Sequence, residues 1–262
     1  MGFDAFARLH QPGRPFLLPN AWDYGSAALF TAHGFPAVGT TSLGVAAAHG
    51  RPDGAGVTRA ETVALARSLA RLPCLLTVDV EGGFSDDPGE VADLVAELAG
   101  LGVVGVNIED GRASGELAPI EHLPRVIAAV KARAPRVFLN ARTDTHWLAA
   151  GRTPDLAETL RRVRRYADAG ADGVFVPALP GKAEIAAVVE AAPVPVNVLF
   201  QPAGPDLGEL AGLGVARVST GSLPYRAALH AALAAALGAA GRRDDAPAVP
   251  SYAEIVKLLP SP

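Results

Sequence analysis

Leu75-Leu76-Thr77-Val78-Asp79-Val80-Glu81-Gly82-Gly83 decides how this chain is read. An apolar run of strand length ends in two carboxylates and a glycine turn, the pattern of a buried strand with a polar exit. Residues two apart on a strand share a face, so Asp79 and Glu81 are expected to project together from its carboxyl end. Neighbouring anions repel, and a chain tolerates them where a cation or a shared proton lies between. Two more apolar runs end in the same manner. Residues 105–110 close on Glu109 and Asp110, and residues 137–144 close on Arg142, Thr143 and Asp144. Three strands with polar ends along one edge predict a site.

Working outward, strands are predicted over 16–21, 37–42, 75–83, 105–110, 137–143, 173–177, 195–200 and 217–221. Helices are predicted between them, over 23–33, from Thr58 onward (a capping box with Glu61), and over 88–101, 119–133, 154–169, 182–191, 206–213 and 224–237. Residues 43–57 read as a long loop of small residues. Strict alternation predicts an α/β chain whose parallel strands close into a (β/α)8 TIM barrel over residues 1–240. A doubly wound open sheet is the alternative, but it usually needs a glycine-rich first turn, and Pro19-Asn20-Ala21-Trp22-Asp23 is not one. Residues 241–262 read as a linker and a short C-terminal helix over 251–259, with Tyr252, Ile255, Val256 and Leu259 on one face. That extension is expected to cap the barrel or reach a neighbouring subunit.

The chain has 262 residues, half of them hydrophobic, and a net charge of -4 without a basic cluster. This composition supports a large core and argues against nucleic acid as a partner. The single cysteine, Cys74, excludes an intrachain disulfide and a paired-cysteine metal site. The first residues lack an apolar signal core, and no run of about 18 apolar residues occurs. A soluble, cytoplasmic protein with no membrane partner is expected.

A barrel gathers its functional groups at the carboxyl ends of its strands. Asp79, Glu81 and Glu109 would meet there, with Asp53 on the loop after the second strand. Oxygen donors without paired His or Cys suit Mg2+, or Mn2+, better than zinc, with one carboxylate bound directly and others holding coordinated water. The competing reading makes these acids helix caps or salt-bridge partners. Arg142 follows apolar residues, and its fork suits a substrate carboxylate or phosphonate; the competing reading is an ion pair with Glu109 or Asp144. Gly39-Thr40-Thr41-Ser42-Leu43-Gly44 offers hydroxyls and amides to a developing enolate oxygen. Gly221-Ser222 reads as an ordinary helix cap or a phosphate turn. Asn197 and Ser219, on the last strands, are expected to take part in substrate selection.

These motifs resemble the isocitrate lyase/phosphoenolpyruvate mutase superfamily. Asn20-Ala21-Trp22-Asp23, Gly39-Thr40-Thr41-Ser42 with Gly50-Arg51-Pro52-Asp53, Asp79-Val80-Glu81-Gly82-Gly83, Asn107-Ile108-Glu109-Asp110 and Asn140-Ala141-Arg142-Thr143-Asp144 stand in family order. The resemblance implies a barrel that binds Mg2+ and an α-oxo acid. It implies Asp79 as the direct metal ligand, with Glu81, Glu109 and Asp53 on metal-bound waters. It gives Arg142 the substrate, and Thr41, Ser42 and Leu43 the carboxylate or oxo oxygen. It also implies a homodimer or homotetramer with the last barrel helix, 224–237, against a partner. The family's lyases carry a Lys-Lys-Cys-Gly-His loop after the fourth strand; here that loop is Asp110-Gly111-Arg112-Ala113-Ser114-Gly115-Glu116-Leu117, without Cys or Lys.

The expected activity is a Mg2+-dependent lyase that breaks a C–C bond of a small 2-hydroxy or α-oxo carboxylic acid through a pyruvate-type enolate. In it, Asp53, Glu109 and Arg142 carry the chemistry, and Thr41, Ser42, Leu43, Arg142 and Asn197 hold the substrate. The alternatives are a C–P mutase or hydrolase acting on a phosphonopyruvate-like substrate, and a barrel that binds an oxo acid without turning it over.

Overall fold

In the computed structural model, residues 2–149, 154–242 and 249–260 are described. The chain opens with α1 (Gly2–Ala7), β1 (Phe16–Leu18), β2 (Asn20–Ala21), α2 (Tyr24–Ala32) and β3 (Ala37–Thr40). Then come α3 (Ser42–Ala48), α4 (Arg59–Leu69), β4 (Leu75–Asp79), α5 (Pro88–Gly100), β5 (Gly105–Glu109), α6 (His122–Arg133) and β6 (Phe138–Arg142). The second half runs α7 (Leu156–Asp168), β7 (Gly173–Val176), α8 (Lys182–Ala191), β8 (Val196–Leu199), α9 (Leu207–Gly212), β9 (Arg217–Ser219), α10 (Leu223–Ala239) and α11 (Tyr252–Val256).

All strand pairs are parallel, in the order β1-β9-β8-β7-β6-β5-β4-β3-β2. The expected first strand is split at Pro19, which lacks an N–H. Its first half pairs with β9 and its second with β3, so one bent strand joins the two ends of the sheet. The result is a (β/α)8 barrel. No helix among the described residues is long and apolar enough to cross a membrane.

Alternation along the strands sorts the side chains. Val78, Val106, Ile108, Leu139 and Ala141 are buried with Val91, Leu94, Leu123 and Ile127 of the surrounding helices in the main core. The intervening residues point into the barrel, where a (β/α)8 barrel is usually filled by branched aliphatics. Here that layer is polar. Asn140 Nδ2 donates to Asn107 Oδ1 at 2.9 Å, and Arg217 donates to Asn107 Oδ1 and to Ser219 Oγ, each at 3.1 Å. Ser219 Oγ in turn donates to Asn197 Oδ1 at 3.1 Å. Phe6 of α1 closes the lower end, packed edge-on to Phe16 and Phe138. His10 stacks on Phe138, and burial pushes its imidazole down to about 3, so it stays neutral.

Several local expectations are corrected. Residues 43–57 are not all loop, because Ser42–Ala48 forms α3. Thr58 makes no capping bond to α4 and instead donates its hydroxyl to Glu81 Oε1 at 2.8 Å. Helix α6 begins at His122, three residues later than predicted at Pro119. The C-terminal helix ends at Val256, a residue 37% exposed, whereas Ile255 is buried and Tyr252 and Leu259 pack beside it. Residues 243–248 of the expected linker lie outside the described residues.

Candidate active site

A cavity of about 240 Å³ opens at the carboxyl ends of the strands. Asp53, Asp79, Glu109 and Asp144 line it together with Arg142, and Thr41, Ser42 and Leu43 line it where the chain turns into α3. Backbone and hydroxyl contacts set Asp79 at the end of β4. Its N–H donates to Thr40 Oγ1 at 2.9 Å, and its Oδ1 accepts from the Glu81 N–H at 3.2 Å. In β5 and β6, Glu109 and Arg142 are register partners, and Arg142 Nη1 lies 2.8 Å from Glu109 Oε2. Arg142 Nε donates to Asp144 Oδ1 at 2.6 Å. The guanidinium also rests 5.7 Å from the ring centres of both Trp147 and Phe175.

Behind this wall, Asp110 ties three elements together. Its Oδ1 accepts the Asp144 N–H at 2.8 Å, while Oδ2 accepts from Tyr166 Oη at 2.6 Å and Arg162 Nη1 at 3.0 Å. Buried carboxylates paired with both main chain and guanidinium fix the loop that carries Asp144, and through it the plane of Arg142.

The electrostatics show more anion than the protein neutralises. Burial raises the carboxyls of Asp53 and Asp79, and raises Glu109 well above its ordinary value although Arg142 opposes the shift. Asp144 is pushed up to about 6 by burial, again against Arg142. Burial by itself would lower Arg142, yet Asp144, Glu109 and Asp79 raise it, so it stays charged. Asp53 Oδ1 is buried without any hydrogen-bond partner, although Asp53 Oδ2 accepts from Tyr252 Oη at 2.7 Å. Among the described residues, no three His, Cys, Asp or Glu side chains form a group that could by itself hold a metal ion.

Not every residue singled out in the sequence reaches the cavity. Glu81 lies beyond the end of β4 with a positive φ of 52°, so the strand alternation no longer governs it. Its carboxylate, 3% exposed, turns to the preceding loop and accepts from Thr58 Oγ1 at 2.8 Å and Gly56 N–H at 2.9 Å. Asn197 is buried in the polar layer and does not line the cavity, whereas Ser219 does. Arg112 lines the mouth, paired with Asp86 at 3.1 Å; Ser114 and Glu116 of the same loop do not. Ser222 stands at the N-cap position of α10 but makes no side-chain capping bond, and the Gly221 N–H is committed to Asn20 Oδ1 at 2.9 Å.

Tyr252 is the wall residue that the sequence placed elsewhere, on the packing face of the C-terminal helix. It meets Asp53 across 199 positions of chain, a separation that no local pattern reports. Asn20 also lines the cavity, its Nδ2 donating to Thr40 O at 2.7 Å. An Asn directly after Pro19 at a strand end was the available signal.

Residues 6–239 match the phosphoenolpyruvate phosphomutase family. An uncharacterized protein of Mycobacterium tuberculosis (strain ATCC 25618 / H37Rv) is 47% identical over 255 residues, 97% of this chain and 96% of that protein. The 2-methylisocitrate lyase of Bacillus subtilis (strain 168) is 32% identical over 188 residues, which are 68% of this chain and 60% of that enzyme. The crystal structure of phosphoenolpyruvate phosphomutase from Streptomyces platensis subsp. rosaceus is similar with a TM-score of 0.80 and 27% identity, covering 92% of this chain and 89% of that one.

Proposed function

The chain belongs to the phosphoenolpyruvate phosphomutase family, within the superfamily that includes the isocitrate lyases, and from that premise we propose a Mg2+-dependent lyase that cleaves a C–C bond of a small 2-hydroxy or α-oxo carboxylic acid. The observation that carries the reading is the excess of carboxylate around Arg142. Four acids line one cavity, Arg142 bonds two of them, and the buried Asp53 Oδ1 makes no well-formed hydrogen bond. An all-oxygen set of this kind fits a hard divalent ion, with Asp79 as the direct ligand and with Glu109 and Asp53 reaching it through water. Glu81 would act from behind, fixing the loop that carries Gly56. When bound, the ion supplies a Lewis acid for the C2 oxygen of the substrate.

The remaining steps belong to the chain's own residues. Arg142 is held flat by Glu109, Asp144 and two aromatic rings, so its free edge presents a fixed fork to an anionic arm of the substrate. The Thr41 N–H is taken by Ala21 O at 3.1 Å, but the first amides of a helix have no partner within it, so Ser42 and Leu43 at the start of α3 can donate to the oxygen on which negative charge develops. In an α-oxo acid, as the C3–C4 bond breaks, its electron pair moves into the C2–C3 π-system, the charge settles on the C2 oxygen, and the C4 fragment leaves as CO2 or a carbonyl compound. Asp53 stands as the group that passes a proton to or from a water at C3. Trp147, Leu148, Phe175 and Leu199 give the wall an apolar part that limits water.

The test is turnover of the purified protein with Mg2+ across α-oxo acids and 2-hydroxy diacids, followed by product analysis, with Asp79→Ala as control. A keto-acid product lost in Asp79→Ala supports the lyase; oxo-acid binding without product supports a binding barrel and overturns it. A second reading, cleavage of a C–P bond, is favoured by the likeness to a phosphomutase. Phosphonopyruvate in the same assay separates the two.

A further inference from the structure

We propose that Tyr252, carried on α11 outside the barrel, is a positioning residue of the site: its phenol holds one oxygen of Asp53 so that the other stays free for what enters the cavity. The inference rests on the reading of the cavity as an oxo-acid site with a divalent ion.

Asp53 stands on a turn followed by Gly54 and Gly56, both with positive φ, and its carboxyl, near Ser42 and the Gly54 main chain, needs a further contact to fix which oxygen faces the cavity. The phenol supplies that constraint. Tyr252 Oη donates to Asp53 Oδ2 at 2.7 Å, and Asp53 Oδ1 is the one buried carboxylate oxygen among the described residues that lacks a partner. A buried acceptor left without a donor asks for a ligand or water to satisfy it. The same ring lies edge-on to Trp147, centroids 5.0 Å apart, and Trp147 rests on the Arg142 guanidinium. One side chain therefore touches both the acid proposed to move a proton and the aromatic that braces the substrate cation.

The hydroxyl is also separable from the anchor of its helix. Ile255 is buried with Leu43 and Tyr225, and Ser251 forms a capping box with Glu254, so α11 has holds that do not involve the phenol. Outer-shell hydrogen bonds of this type set the orientation of the groups they touch.

The experiment uses the full chain with Mn2+ and oxalate as probes, followed by calorimetry on wild type, Tyr252→Phe, Asp53→Ala and the double variant. The expected result is that Tyr252→Phe weakens oxalate binding in the presence of Mn2+ about tenfold, the scale of one hydrogen bond to a charged group. Its melting temperature should stay that of wild type. On the Asp53→Ala background the same substitution should change nothing further, because its effect passes through that carboxylate. Wild-type affinity in Tyr252→Phe, or losses that add in the double variant, would overturn the role given to Tyr252 while leaving the site reading intact. A wild type that binds no oxalate with Mn2+ would refute the site reading itself, and this inference with it.

Discussion

Asp79 and Glu81 stand two positions apart and read alike in the sequence, yet the fold separates them. The β4 ladder ends at Asp79, and the main chain then passes through the left-handed region at Glu81, a conformation that side chains other than glycine adopt at a cost of about 1 kcal/mol or more. The turn sends Glu81 into a closed shell where Thr58 and Gly56 donate to it, and burial raises its carboxyl from 4.5 to about 7. The sign of the linkage follows. In the unfolded chain the group ionises near 4.5, whereas the folded protein keeps it protonated until about 7, so stability present below 4.5 is lost as pH rises through that window. Glu81→Gln should flatten the stability curve of the metal-free protein there, by up to about 3 kcal/mol. Urea denaturation at stepped pH reads the difference, and parallel curves for the two proteins would contradict it.

At the scale of elements, the site is held by contacts between strand ends and helices more than by the strands alone. Asp110, at the exit of β5, receives Arg162 and Tyr166 from α7 and the Asp144 main chain from beyond β6. Arg162 is 5% exposed, so removing its carboxylate would strand a buried cation. Asp110→Ala should cost about 3–5 kcal/mol in chemical denaturation, and a loss below about 1 kcal/mol would mean that Glu158, the other partner of Arg162, carries the charge on its own. Such couplings also explain what was legible beforehand. The strands and most helices were written in local alternation and in punctuation by glycine and proline, and the acids at strand ends named the mouth of the barrel. Helix α3 was not legible, because Ser42-Leu43-Gly44-Val45-Ala46-Ala47-Ala48 has no polar face to set a helical period. Thr58 looked like a cap because its spacing to Glu61 is right; the buried Glu81 carboxyl competes for the same hydroxyl and takes it at 2.8 Å. Tyr252 was beyond local reading because its partner comes from the other end of the chain.

For the molecule as a whole, one stretch of exposed apolar surface runs along the last barrel helix. Helix α10 spans Leu223–Ala239, and Tyr225, near its start, is its one buried residue among those described. Leu229 and Leu233, four positions apart on one face, are 37% and 51% exposed. Between them lie mainly alanines, a surface that lets a second helix approach closely without the entropy cost of ordering long side chains. By contrast, α5 buries Val91, Ala92, Leu94, Val95 and Leu98. A helix so apolar and so little covered by its own chain is what a subunit interface would use, and a dimer or tetramer through α10 is the proposal that follows from the family resemblance and from this surface together. Light scattering on the full chain should give a mass of two or four subunits. Leu233→Asp should return it to one subunit, since a charge placed in a paired apolar face would be buried unpaired on both sides of a twofold axis. A wild-type protein that runs as a single subunit, or an oligomer indifferent to Leu233→Asp, would assign that apolar face to some role other than self-association.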